Sequence, residues 1–249
     1  MSVLLQAEGL TKSFGGVRAV NGVSLSLLPG ERLAIIGPNG AGKSTCFALL
    51  GGQLRPDGGR VLLDGVDVTH APPPARQRRG LARTFQTAAY FGSMTLRENL
   101  QAASLLADRR WGDLWSRANG VASEAADELL ARVGLGGRGE DLGTHLAYGD
   151  LKRLELAMAL AGRPRLLLLD EPTAGMAPSE RAAMMALVSR LAREDGTAVL
   201  FIEHDVEAVF AHADRVLVLH QGRPLAEGLP SAIRHDEAVR AVYLGEAAP

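Results

Sequence analysis

Gly37-Pro38-Asn39-Gly40-Ala41-Gly42-Lys43-Ser44 fits the pattern G-x-x-x-x-G-K-[ST], and those residue types at that spacing bind phosphate. The glycines let the backbone curl until successive N–H groups converge on phosphate oxygens. Lys43 offers a point charge to the outer phosphates, and the Ser44 hydroxyl offers a hard oxygen to Mg²⁺. Further along, the aliphatic run Leu166–Leu169 ends in Asp170-Glu171-Pro172. Successive side chains near a strand end diverge. One carboxylate can therefore face a metal, usually through water, while the other faces an attacking water. His204 comes shortly after another apolar run, Thr197–Ile202, and stands beside Asp205.

These groups need strand ends and helix starts to hold them. Glu31–Ile36 reads as a buried strand stopped by Gly-Pro, and Ser44–Gly51 as the helix behind it. That strand–loop–helix order is the context the phosphate motif requires, and the helix N-terminus adds partial positive charge. Leu166–Leu169, Thr197–Ile202 and Arg215–Leu219 read as strands, with helices predicted over Ser179–Arg193 and Asp205–Ala211. Alternating strands and helices predict an α/β fold with a mostly parallel sheet. Val3–Glu8 reads as a short strand, Arg60–Thr69 as a strand pair around Asp64-Gly65, and Ala71–Pro74 as a stiff linker. The stretch from about 95 to 160 is helix-only, with helices expected over Glu98–Trp111, Ser123–Gly134 and Leu151–Ala161. It reads as an inserted helical subdomain within a single domain spanning 1–249.

Composition narrows the function classes. In 249 residues, 27 Lys plus Arg against 28 Asp plus Glu leave a net charge of −1, which argues against a nucleic-acid partner. One cysteine rules out an intrachain disulfide and a Cys-clustered zinc site. No apolar run approaches the roughly 18 residues of a membrane span, and the start lacks a basic signal-peptide region. A guanine reader N-K-x-D is absent: the only lysines are Lys12, Lys43 and Lys152.

Five motifs occur in order: GPNGAGKST, then TFQ at Thr84–Gln86, LAYGD at Leu146–Asp150, LLLLDEP, and IEHD at Ile202–Asp205. Together they resemble the ATP-binding subunit of ATP-binding cassette (ABC) transporters, over essentially the whole chain. The resemblance implies an α/β P-loop core joined to an antiparallel β region and a helical subdomain, with ATP and Mg²⁺ as cofactors. It assigns phosphate binding to Gly37, Pro38, Asn39, Gly40, Ala41, Gly42, Lys43, Ser44 and Thr45, and adenine stacking to Phe14. Ser44, Gln86 and Asp170 would ligate Mg²⁺, with Gln86 also linked to the membrane subunit. Glu171 would be the general base and His204 the γ-phosphate switch; Lys43 and Gln86 complete the catalytic set. Ala147, Tyr148 and Gly149 would form the signature that faces the nucleotide of a second ATPase subunit, in a homo- or heterodimer glued by two ATP molecules.

LAYGD followed by Arg153-Leu154-Glu155, the ARTFQ stretch, EHDV and the C-terminal YLGE resemble one branch, the ATP-binding subunits of branched-chain amino acid importers. Relatives of that branch also serve urea, amides and aromatic acids. The implied partners are transmembrane permease subunits and, through them, a periplasmic or extracellular solute-binding protein. The implied location is cytoplasmic, peripheral on the inner face of the cell membrane.

Two departures from the family pattern stand out. LAYGD replaces L-S-G-G-Q, so Ala147 lacks the serine hydroxyl and Asp150 brings a negative charge. Ala177 stands where most relatives carry an interface aspartate. Asp150 reads as the N-cap of the following helix, Arg76, Arg78, Arg79 and Arg83 as a solvated charge run, and Cys46 as buried packing. Tyr90, Phe91, Trp111 and Trp115 read as core, with docking of a membrane subunit's helix near Gln86–Phe91 as the second reading. The rival function is a soluble ABC ATPase outside transport. Such proteins usually carry tandem cassettes or long coiled coils, and neither is visible in this sequence. A regulatory module without turnover is disfavoured by the presence of both Glu171 and His204.

Overall fold

The computed structural model describes residues 2–84, 90–108 and 121–244; Gln86, Trp111 and Trp115 lie outside them. The chain opens with β1 (Leu5–Phe14) and β2 (Val17–Leu27), an antiparallel hairpin turning at Gly15-Gly16. β1 runs well past the expected Val3–Glu8. A bulge between Ala7 and Leu10 absorbs the irregularity at Gly9 and lets pairing resume. β2 carries a period-2 signal in Val23, Leu25 and Leu27, all buried, against the outward Ser24 and Ser26.

β3 (Arg32–Ile36) and α1 (Lys43–Gly51) follow, then β4 (Gly58–Leu63) and β5 (Val66–Asp67). Next come α2 (Pro73–Gln77), β6 (Leu81–Arg83), α3 (Leu96–Asp108), α4 (Val121–Arg132) and α5 (Tyr148–Leu160). The chain continues with β7 (Leu166–Asp170), α6 (Pro178–Asp195), β8 (Ala198–Ile202), α7 (Val206–His212), β9 (Arg215–His220), β10 (Arg223–Gly228) and α8 (Pro230–His235). The linker expected at Ala71–Pro74 runs into α2, whose first turn tolerates proline because its N–H groups have no helical partner.

One sheet is antiparallel, in the order β2-β1-β4-β5; the other has the order β10-β9-β3-β8-β7-β6. In the second sheet β9, β3, β8, β7 and β6 are mutually parallel, and β10 adds an antiparallel edge. Its central strands are buried on both faces and read as continuous aliphatic runs. Their side chains alternate between two cores. Leu33, Ile35, Leu166, Leu168, Leu200 and Ile202 pack toward α1 and the antiparallel sheet. Ala34, Ile36, Leu167, Leu169, Val199 and Phe201 pack toward the other face, where Leu100, Leu130, Leu154 and Val188 lie. The helices α3, α4 and α5 pack on one another, tied by Arg97 to Asp127 at 3.0 Å. Among the described residues, no helix is long and apolar enough to cross a membrane.

The arginine run is not one solvated face. Arg78 and Arg79 are exposed, but Arg76 has no accessible surface. Its guanidinium donates to the carbonyls of Leu49 (2.9 Å), Leu50 (2.6 Å), Thr69 (3.1 Å) and Ala71 (3.0 Å). It thereby stitches the end of α1 to the segment before α2. Burial pushes its pKa down to about 10, which still leaves it protonated at neutral pH. Cys46 is fully buried, as expected, and burial pushes its thiol up to about 12.

Candidate functional site

Register alone gathers the candidate residues. Ile35 of β3 pairs with Ile202 of β8, and Ile202 pairs with Asp170 of β7. Neighbouring strands lie about 4.8 Å apart. The chain segments leaving these three strands therefore emerge side by side at one sheet edge, the carboxyl edge where open α/β sheets place ligands. They are the phosphate loop from Gly37, the Glu171 turn and the His204 turn.

The phosphate loop is shaped by glycine where nothing else fits. Gly42 has φ +97°, and a Cβ there would drive into the carbonyl of Ala19 on β2. Gly42 also caps α1 without a side-chain bond, so the first-turn N–H groups remain available to an anion. Lys43 is buried, and its ammonium donates to the carbonyls of Gly37 (2.7 Å) and Pro38 (3.1 Å). Burial holds its pKa below the ordinary lysine value, and the negative charge of Glu171 opposes that shift. Ser44 is exposed at the head of α1.

Asp170 continues the alternation of Leu166 and Leu168, so it faces the α1 side of the sheet. Arg83, in step with Leu81 on the neighbouring β6, faces the same side and pairs with Asp170 Oδ2 at 2.8 Å. Its guanidinium lies 5.8 Å from the Phe47 ring of α1. Burial pushes the Asp170 carboxyl up, and Arg83 pulls it back. Asp170 Oδ1 is buried with no hydrogen-bond partner among the described residues. A buried, unpartnered carboxylate oxygen on the α1 face fits Mg²⁺, which takes one or two carboxylates and completes its shell with phosphate and water. No group of three or more His, Cys, Asp or Glu side chains that could by itself hold a metal ion is present among the described residues.

Glu171 has φ +51°, a conformation that costs a non-glycine residue of order 1–3 kcal/mol and tends to mark functional sites. Its N–H donates to Ile202 of β8 at 3.1 Å. Its carboxylate lies 2.8 Å from His204 Nε2. The His204 side chain is half exposed, so it is not a core histidine. The structure thus joins Glu171 to His204, with Asp170 next in the chain and the loop leading to Lys43 at the same sheet edge.

Phe14 ends β1, is 47 % exposed rather than core, and has the Lys12 ammonium 5.7 Å from its ring centre. The signature makes different contacts. Tyr148 donates its hydroxyl to the Ala174 carbonyl at 3.0 Å, and Gly149 lies against Glu180 and Met176. Asp150 is not the N-cap: α5 starts earlier, at Tyr148, with Ala147 capping it through backbone only. Asp150 sits in the first turn, paired with Arg138 at 2.6 Å. Its negative charge is neutralised there and complements the helix N-terminus. Ala177, the second departure, caps α6, where Glu180 accepts from its N–H.

Sequence reasoning missed Arg83 as the partner of Asp170, and it missed Glu203. The signals were present: Arg83 shares the parity of Leu81, and Glu203 is a charge appended to a wholly apolar strand. Tyr243 of the YLGE stretch is half-buried near the Gly37 N–H, with burial pushing its phenol up.

A family model described as "ABC transporter" matches residues 20–174, and one described as "Branched-chain amino acid ATP-binding cassette transporter" matches 223–249. The chain is 41 % identical to the high-affinity branched-chain amino acid transport ATP-binding protein BraF of Pseudomonas aeruginosa, over 98 % of each chain. Among solved structures, the ADP conformation of MJ1267, an ATP-binding cassette of an ABC transporter, superposes with a TM-score of 0.87 at 31 % identity, covering 99 % of this chain and all of that one. A dimeric post-hydrolysis state of the cassette MJ0796, bound to ADP and Pi, matches with a TM-score of 0.76 at 25 % identity over 91 % of this chain and 98 % of that one.

Proposed function

The chain belongs to the ABC transporter ATP-binding family and is an ATPase of that class, and from this premise we propose that it energises import of branched-chain amino acids through separate permease subunits. The observation that carries the reading is the bond between Glu171 and His204 on the turns leaving the adjacent parallel strands β7 and β8, at the sheet edge where the loop leading to Lys43 leaves β3. Similarity along the full chain to a branched-chain amino acid transport ATPase supports the solute class.

In this reading the Gly37–Thr45 turn and the α1 N-terminus hold the triphosphate. Lys43 exchanges the carbonyls of Gly37 and Pro38 for phosphate oxygens. Ser44 and Asp170 would hold Mg²⁺, joined by Gln86 from outside the described residues, and the ion would supply neutralisation of charge on the outer phosphates. Glu171 accepts the proton of the attacking water, and His204, bonded to Glu171, faces the γ-phosphate. The rest of the barrier falls through positioning and exclusion of water. Phe14 stacks on the adenine. Tyr148 and Gly149 serve the nucleotide of a second ATPase subunit, and Tyr148 links that surface to the Glu171 turn through Ala174.

A groove of about 510 Å³ lies between the β6 region and the helical layer, lined by Leu81, Phe91, Met158 and Pro164. Phe91 is 51 % exposed there, and the groove is the proposed seat for a cytoplasmic segment of the permease. In this reading the chain sits at the inner face of the membrane. A solute-binding protein reaches it only through the permease.

Lys43→Ala tests the phosphate site. Titration with a fluorescent ATP analogue is expected to show affinity weakened by at least about tenfold, as loss of a charge-assisted phosphate contact worth roughly 1.5–3 kcal/mol requires. Unchanged affinity would remove Lys43 from the site.

A further inference from the structure

We propose that Glu203 is a positioning residue: it fastens the Glu171 turn to the His204 turn and so holds the general base where it can work. The proposal rests on the hydrolytic reading of Glu171 and His204. Glu203 follows β8 and is 3 % exposed. Its Oε1 accepts from the Thr173 N–H at 2.9 Å and from the Thr173 hydroxyl at 2.7 Å. Its Oε2 accepts from the His204 N–H at 3.3 Å. A buried carboxylate is costly unless donors surround it, and here the donors come from both turns of the hydrolytic pair.

The geometry explains why such a clamp is needed. Glu171 sits at φ +51°, and a strained residue persists only where its surroundings over-determine it. The turn after it is closed by the Ala174 N–H on the Glu171 carbonyl and the Met176 N–H on the Thr173 carbonyl, both at 3.1 Å. Those bonds are internal to the turn and leave it free to shift as a unit. Besides the Glu171–His204 side-chain bond at 2.8 Å, two contacts anchor it to β8 and its end: the Glu171 N–H on Ile202 at 3.1 Å, and Glu203 on Thr173. The second is made by side chains and also grips the backbone of His204. Thr173 and Glu203 therefore act through Glu171 and His204, without touching the nucleotide.

The test uses the chain assembled with its permease subunits, measuring kcat and KM for ATP together with thermal stability. In Glu203→Gln the amide oxygen can still serve Thr173, but the NH₂ group opposes the His204 N–H. We expect kcat to fall by about 10- to 100-fold, the scale of a small misplacement of reacting groups, with KM for ATP within about twofold of wild type. Thr173→Val, which removes only the hydroxyl bond, should lower kcat several-fold, and Thr173→Ser should restore it. This pair reads the same clamp from the other side should Glu203→Gln fold poorly. Wild-type kcat in Glu203→Gln or Thr173→Val overturns the proposal. So does a loss of kcat that only tracks lost nucleotide affinity and lost stability, the mark of a structural role. Glu171→Gln measured in parallel separates the two levels. If it still hydrolyses ATP, the hydrolytic reading fails; if it is inert while Glu203→Gln turns over normally, only the positioning role fails.

Discussion

Glu171→Gln is expected to bind ATP as the wild type does and to release phosphate about 10²- to 10⁴-fold more slowly, the usual contribution of a positioned general base. Glutamine keeps the shape of the side chain and can still bond to His204 Nε2, now 2.8 Å from Glu171 Oε1. It cannot accept the proton of the attacking water. The substitution leaves the proposed ATP-binding turn Gly37–Thr45 untouched, so binding should persist. Phosphate release and titration with a fluorescent ATP analogue measure the two halves separately. Ordinary turnover in this variant would transfer the role of base to another group.

The second large effect is on stability and lies away from the site. Arg76→Met should lower the unfolding free energy by about 3–5 kcal/mol, the scale seen when one partner of a buried charged network is removed. Methionine fills much of the volume but leaves the Leu49, Leu50, Thr69 and Ala71 carbonyls without the donors that satisfy them. At roughly 2–4 °C per kcal/mol for a chain of this size, the midpoint should drop by about 6–20 °C. Arg76→Lys should recover only part of this, because an ammonium cannot span carbonyls arranged for a planar fork. A thermal midpoint within a degree of wild type would mean that Arg76 bears no such structural load.

The difference between Arg76 and its neighbours illustrates what the sequence could and could not disclose. Four arginines in one stretch have the same local signature. That Arg76 turns inward is set by carbonyls at the end of α1, more than twenty residues away, and pattern reading does not see those. The same holds for Asp170. Its place at the end of an aliphatic strand was legible, but its pairing with Arg83 depends on β6 lying beside β7, a fact of topology. The core strands were plain because both faces are buried, which makes their composition uniformly aliphatic. β2 alternates clearly, but its polar face reads as loop when no partner strand is in view. Asp150 was misplaced by three residues because Ala147 caps α5 with backbone alone, so no side chain marked the start. Lys43, Glu171 and His204 stand in recognisable motifs, whereas Glu203 shows in the sequence only as a charge after an apolar strand, and its proposed role needs Thr173 to face it.

The most direct test is to assemble the purified chain with its permease subunits in proteoliposomes and follow phosphate release and branched-chain amino acid uptake in the same sample with Mg-ATP. The two signals should start together, and both should vanish with Glu171→Gln. Uptake that proceeds with no phosphate released, or an assembled complex that never liberates phosphate, would contradict the account.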